Sequence, residues 1–215
     1  FFIVALLIGE RSNFIKIFIM YSFFLIFFFK ASFLKKTIMV IILFSLSSLI
    51  ISQTPILKSK FVNHIFNKEI ISFIKMNKKL ETYDVIKTNQ HFSHYYVAIQ
   101  IFKDNPFFGS GFKSFRIDSS KAKYQKVVNG TSTHPHQFHF ELLSELGLVG
   151  YILIVSNLLF IIFRQIKFRE KNELKIFGIL FIVASLVPIL PSGSFFTSYG
   201  TTIFFINYSF LIRLK

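Results

Sequence analysis

The chain has 215 residues, 53% of them hydrophobic and 32 of them Phe, with a formal net charge of +15 and no cysteine. That composition excludes disulfide and thiolate chemistry and, over apolar runs this long, a water-soluble globular domain. Much of the positive charge sits in short clusters beside apolar stretches. No interleaved basic and aromatic binding motif appears, so no nucleic-acid partner is expected.

A helix needs roughly 20 apolar residues to cross the bilayer core. Residues 176–212 carry no charged side chain, and neither do residues 146–163. The sequence therefore predicts an all-α integral membrane protein, a multi-span helical bundle embedded in membrane lipid. It begins at Phe1 inside an apolar run, without Met, and reads as a C-terminal fragment.

Residues 1–8 read as the end of a truncated span. The polar link "GERSN" (9–13) leads to a second span at 14–29, interrupted only by Lys16 near its start. After the basic loop "KASFLKK" (30–36), residues 37–52 form a third. The character changes over 53–145, which holds all six histidines, 13 of the 25 basic residues and 7 of the 10 acidic ones. That is too long for a simple connection, and a small helical loop domain or lid outside the membrane is expected. Residues 146–163 form a fourth span, and "RQIKFREKNELK" (164–175) a second basic loop. The stretch 176–212 is divided into two spans by Pro188, Pro191 and "SGS" (192–194). Five full spans and part of another result, three of them in 146–215.

Charge orients the bundle. The loops 30–36 and 164–175 and the closing "RLK" carry three, five and two Lys or Arg and fall on one side. That side is assigned to the cytoplasm, so 9–13 and 53–145 face outward.

Inside 53–145, "HYYVAIQIFKDN" (94–105) reads as a helix that stops before Pro106, and Gly109 and Gly111 shape a turn. The Lys and Ser/Thr of a phosphate-cradling loop are absent after these glycines. Residues 121–133 read as a mobile loop, and Asn129-Gly130-Thr131 matches a glycosylation acceptor to which no role is given. In "THPHQFHFELLSELGLVGY" (133–151), Pro135 opens a helix with Phe138, Leu142 and Leu146 at helical spacing. Gly147 is expected to cap or bend it. Glu141 and Glu145 are placed on its solvated face, and the Phe runs of the chain are expected to face lipid.

Together, "NPFFGSGFKSFR" (105–116) and "HPHQFHFELLSELGLVGY" (134–151) resemble the C-terminal region of the O-antigen ligase and O-antigen polymerase superfamily. Asn105, Pro106, Gly109, Gly111 and Phe115 fit the first family motif; His136, Leu143, Glu145, Gly147 and Gly150 fit the second. Gln137 stands where Asn is usual, and Phe140 replaces an aliphatic residue. "GERSN" is similar to the family's short Arg-containing segment, which singles out Arg11, and "PSGSFF" (191–196) is similar to its ending. The resemblance implies a membrane glycosyltransferase of the GT-C type acting on an undecaprenyl-pyrophosphate-linked glycan. The acceptor would be lipid A-core for a ligase or a growing glycan for a polymerase; protein O-glycosyltransferases share the same signatures.

Such a transfer needs a base for the acceptor hydroxyl and cations for the departing pyrophosphate. A histidine with a pKa near neutrality suits the first task, which assigns His136 as the catalytic base. Arginine matches phosphate oxygens and stays charged, which assigns Arg11 and Arg116 to the pyrophosphate. His134, Glu145, Gly109 and Gly111 are supporting residues. Imidazoles at 134, 136 and 139 could in principle bind zinc or copper, but no HExxH spacing appears, so neither a metal nor another cofactor is assigned. The competing possibility is a transporter or lipid-binding protein without chemistry. Proteins of that kind place charges or broken helices at mid-membrane, and here only the Pro188–Pro191 break fits.

Overall fold

The computed structural model describes residues 2–62, 90–125, 130–168 and 172–212. Residues 63–89 (with His64), 126–129 of the expected mobile loop (with Asn129) and the closing 213–215 lie outside them. Every regular element among the described residues is helical. In chain order these are α1 (Phe2–Ile8), α2 (Arg11–Phe27), α3 (Phe33–Gln53), α4 (Pro55–Lys58), α5 (Gln90–Asp104), α6 (Phe115–Asp118), α7 (Phe138–Lys167), α8 (Glu173–Ser185) and α9 (Ser198–Ile212).

Local chemistry sets the ends. Ser32 caps α3 by accepting from the Lys35 amide at 3.4 Å. Asn172 caps α8, its Oδ1 accepting from the amides of Leu174 and Lys175 at 3.0 and 3.3 Å. Pro55 opens α4, where its missing N–H costs nothing. The α8–α9 break falls over 186–197, where Pro188 and Pro191 withhold the donors a continuing helix would need.

Two helices are long and apolar enough to cross a membrane, α3 with 21 residues and α7 with 30. Only 6% of α3's apolar window and 17% of α7's are buried within the protein. A core helix of a soluble protein would bury most of that surface, whereas here most of it is left open among the described residues. With 17, 13 and 15 residues, α2, α8 and α9 are shorter than a full hydrocarbon crossing of roughly 20.

The main core lies where α7, α8 and α9 meet. Phe138, Leu142 and Ile162 interlock there with Ile179 and Ile182 and with Phe196 and Phe204. Phe33, Phe44, Phe160 and Phe163 are exposed, but Phe138, Phe196 and Phe204 are buried, against the expectation that the Phe runs face lipid. Their rings meet edge-on or offset, as in the Phe195–Phe204 pair at 4.9 Å, and large rings fill helix crossings that smaller side chains would leave open. A second core joins Val97, Ala98 and Ile101 of α5 to Phe115 and Tyr124. A third packs α1 and α2 against Leu57 and Phe61.

Gly147 breaks α7 from within, with φ 66° and ψ −169°. A break of this kind orphans carbonyls before it and amides after it. The segment from Pro106 to Gly111 supplies partners for both sets. Leu148 and Val149 donate to the carbonyls of Pro106 and Phe107 at 2.8 and 3.0 Å, while Ser110 and Gly111 donate to those of Ser144 and Glu145 at 3.0 Å each. The two glycine-containing motifs are thus one structural unit, a turn clamped onto a kink.

Glu141 and Glu145 do not form a solvated face. They are 1% and 2% exposed. Buried carboxylates require hydrogen-bond donors, and both have them. Glu145 accepts from the amides of Lys113 at 2.7 Å and Phe115 at 3.3 Å. Glu141 accepts from the Ser194 hydroxyl and from the Phe195 amide, the latter at 2.7 Å. Neither donor pair is near in sequence, so helical periodicity alone assigned these polar residues to solvent.

Candidate functional site

The start of α7 organises the site. Gln137 caps the helix by accepting from the Phe140 amide at 3.1 Å, and His136 immediately precedes it with φ 59°. A non-glycine residue in the left-handed region is strained, and the surrounding structure must hold it there. The Ser192 amide does so by donating to the His136 carbonyl at 2.7 Å.

The His136 ring sits in a cluster of imidazoles. It stacks on buried His94 at a centroid distance of 5.0 Å and 23°, meets His91 at 5.5 Å and contacts His134 at 4.0 Å. His91 and His94 lie three residues apart, on one face of α5. The Ser132 hydroxyl lies 3.3 Å from His136 Nε2, and the Thr133 hydroxyl 2.9 Å from His134 Nδ1. Burial, followed by the like charge that His134, His94 and His91 would carry, pushes the His136 imidazole down to about 4 from its usual 6.5. Burial lowers His134 as well. His136 is therefore neutral at physiological pH, a proton acceptor well below the near-neutral pKa expected of it.

His139 is turned to a different task. Its Nε2 donates to the Leu186 carbonyl at 2.9 Å, and its Nδ1 accepts from the Tyr151 hydroxyl at 3.0 Å. Among the described residues, no group of three or more His, Asp or Glu is arranged to hold a metal ion.

Beside this cluster lies a cavity of about 1120 Å³. The start of α2 lines it with Arg11, Ser12, Asn13 and Lys16, joined by Lys60 and His91. Helices α7, α8 and α9 add the apolar rings and chains of Phe138, Phe181, Ile203 and Phe204, and the 186–197 segment adds Ser192 and Ser194. Glu10 also lines the cavity and does not cap α2 through its side chain, and the first residues of α2 bring the positive end of the helix to the same space. Lys16 Nζ donates to the Pro191 carbonyl at 2.8 Å, tying α2 to the 186–197 strap. The strap is held at further points. Tyr95 donates to the Ile189 carbonyl at 3.0 Å and Gln137 to that of Val187 at 3.4 Å.

Of the residues expected from sequence, Arg11 lines the cavity, and His136 borders it through His91 and Ser192, both of which line it. His134 lies against His136, while Gly109, Gly111 and Glu145 build the clamp behind α7. Arg116 is exposed on α6 and is not among the residues that line the cavity. Sequence reasoning passed over His91, His94, Lys16 and Glu141. The "HFSH" spacing on one helix face and the single cation inside the second apolar run were the available signals for three of them.

A family model described as O-antigen ligase matches residues 1–155, well over half of the chain. The chain belongs to the O-antigen ligase family. Its matched region includes the Arg11 segment, the 105–116 turn and the start of α7 through Gly150, so the cavity's lining at the start of α2 and the kink clamp both fall inside it. No curated protein and no solved structure matches the chain. As a family member with two helices fit to cross a membrane, it is a helical membrane protein of the O-antigen ligase or polymerase type.

Proposed function

We propose that this chain carries the reaction centre of an O-antigen ligase, a metal-independent glycosyltransferase of the GT-C type. It moves a glycan from undecaprenyl pyrophosphate to a lipid A-core hydroxyl at the periplasmic face of the bacterial inner membrane. The observation that carries this reading is a cavity lined both by the cations Arg11, Lys16 and Lys60 and by the rings Phe138, Phe181 and Phe204, beside a neutral histidine. A polyprenyl pyrophosphate combines the same two chemistries, a doubly charged head on an apolar tail.

In the proposed reaction the acceptor hydroxyl attacks the anomeric carbon of the lipid-linked sugar. Neutral His136 takes the hydroxyl proton as the new C–O bond forms, and becomes imidazolium. The bond from the anomeric carbon to the pyrophosphate oxygen breaks, and its electron pair leaves with undecaprenyl pyrophosphate. Arg11 matches the phosphate oxygens that gain charge, whereas Arg116, exposed on α6 and outside the cavity, takes no part in this step. Positive charge on His136 is disfavoured among three other imidazoles, which promotes return of the proton to solvent or product.

The test uses the full-length parent protein in membranes with an undecaprenyl-pyrophosphate-linked glycan, following release of undecaprenyl pyrophosphate with and without lipid A-core. Release that requires lipid A-core and is lost in His136→Ala supports the ligase. Release without lipid A-core, with a lengthening glycan, identifies a polymerase instead. No release from folded protein under either condition leaves a lipid-binding or transport role.

A further inference from the structure

Residues 186–197 leave α8 and reach α9 without forming a helix, and they pass directly over the backbone of His136. Their contact with it is the Ser192 amide, which donates to the His136 carbonyl at 2.7 Å. Two residues further on, the strap is gripped by Glu141: one carboxylate oxygen accepts from the Ser194 hydroxyl and the other from the Phe195 amide at 2.7 Å. Glu141 and His136 belong to the same rigid helix start, since the Glu141 amide donates to the Gln137 carbonyl at 3.0 Å in the first turn of α7. A closed loop of contacts results, running from His136 through the first turn to the Glu141 side chain, across Ser194 and Phe195, and back through Ser192 to His136.

That loop has a task. His136 stands at φ 59°, a conformation that a non-glycine residue keeps only where its neighbours fix it. Lys16, Tyr95 and Gln137 tie the strap before Ser192 to α2, α5 and the start of α7, and Glu141 ties it after Ser192 to the first turn of α7, which His136 and Gln137 lead into. Glu141 is 1% exposed and does not line the cavity, so water cannot stand in for its contacts and substrate does not touch it. We infer that Glu141 is a positioning residue: through Ser194, Phe195 and Ser192 it holds the His136 imidazole in register with the cavity. The inference rests on the proposed role of His136 as the base.

The experiment compares wild type, Glu141→Gln, Ser194→Ala, the double variant and His136→Ala in the full-length protein. Three quantities are read: release of undecaprenyl pyrophosphate, the thermal melt in detergent, and the rate at which diethyl pyrocarbonate carbethoxylates His136, measured by peptide mass spectrometry. Glutamine keeps the shape of Glu141 but offers one acceptor oxygen in place of two. Expected for Glu141→Gln is a fall in kcat of about ten- to a hundredfold, the range a misplacement near 1 Å produces, with donor KM little changed. His136 labelling per folded molecule changes several-fold. Ser194→Ala moves both readouts the same way by less, and the double variant is no worse than Glu141→Gln, because both changes cut one chain of contacts.

Wild-type kcat and wild-type labelling in Glu141→Gln overturn the inference. So does a loss of activity that follows the folded fraction while labelling per folded molecule stays constant. If His136→Ala is as active as wild type, the role of His136 as base fails. The labelling rate then still decides whether Glu141 sets the ring's position.

Discussion

Gly109 and Gly147 meet backbone to backbone. A Cβ on Gly147 would fall on the Gly109 amide and the Phe107 carbonyl, and one on Gly109 would fall on the Glu145 carbonyl. Both also have positive φ, 70° and 66°. Alanine at either site therefore meets a steric clash in addition to a backbone strain of about 1–3 kcal/mol. Gly111 separates the two effects, because its φ is 113° but nothing lies within 4 Å of its would-be Cβ. Thermal melts in detergent should rank Gly147→Ala and Gly109→Ala far below Gly111→Ala. Equal losses at all three would show that the clamp can open without cost.

Glu145 is predicted to matter for stability first and for activity only through it. Alanine there strands the amides of Lys113 and Phe115, which now donate to its carboxylate. A buried unsatisfied group costs about 1–3 kcal/mol. Glu145→Ala should lower the melt clearly and Glu145→Gln, with one acceptor oxygen left, by less. Specific activity per folded molecule should stay near wild type in Glu145→Gln. A loss of kcat without a loss of stability would instead place Glu145 in the chemistry.

The pH dependence follows from the imidazole cluster. His136 is held down to about 4 by burial first and then by His134, His94 and His91. The base form is neutral, so the acid limb of kcat/KM should lie well below the usual histidine range near 6.5. The stability effect has a definite sign. In the unfolded chain His136 takes up its proton near 6.5, whereas in the folded chain it does so only near 4. The unfolded state thus binds more protons between those values, and stability rises with pH across that window. A pH–rate profile checks the first statement and melts from pH 4 to 7 the second. An acid limb at 6.5 would mean that the cluster is open to water.

The shape of the chain near the site was largely legible. Asn105-Pro106 ends α5, Gly147 kinks α7, and the prolines at 188 and 191 keep 186–197 out of a helix. Each is a local backbone rule, and such rules need no knowledge of what lies across the fold. The carboxylates were misread because burial of Glu141 and Glu145 depends on donors more than 25 positions away in the chain, at Ser194 and Phe195 and at Lys113 and Phe115. The same distance hid the convergence of His91 and His94 on His136. Motif resemblance points to His136 and Arg11 but says nothing of Lys16, which reaches Pro191 across 175 positions.

Side-chain choice at 136 should separate strain from chemistry. Asn adopts the left-handed region more readily than most residues, and a β-branched side chain there is an outlier. At φ 59°, His136→Asn should therefore fold and melt like wild type, while His136→Val should be destabilised. Both should lack transfer if His136 is the base. An active His136→Asn would remove the proton-acceptor role and leave position 136 as a backbone hinge only.

Arg11 and Lys16 both line the cavity, but their contacts differ, and so should their variants. Lys16 is committed to the Pro191 carbonyl at 2.8 Å, on the strap that holds His136. Arg11 begins α2, so its guanidinium fork and the helix's positive end both lie at the cavity where the proposed pyrophosphate would bind. Arg11→Ala should raise the donor KM about ten- to a hundredfold, the worth of one good charge-assisted pair, and Arg11→Lys should recover only part because an ammonium cannot bind two oxygens in a plane. Lys16→Met keeps the apolar stem and loses the tether, so kcat should fall more than donor affinity does. Steady-state kinetics with the lipid-linked donor varied at fixed acceptor would distinguish them. If Arg11→Ala left KM unchanged and Lys16→Met raised it, the anion would sit at Lys16, and Arg11 would be an anchor at the membrane surface.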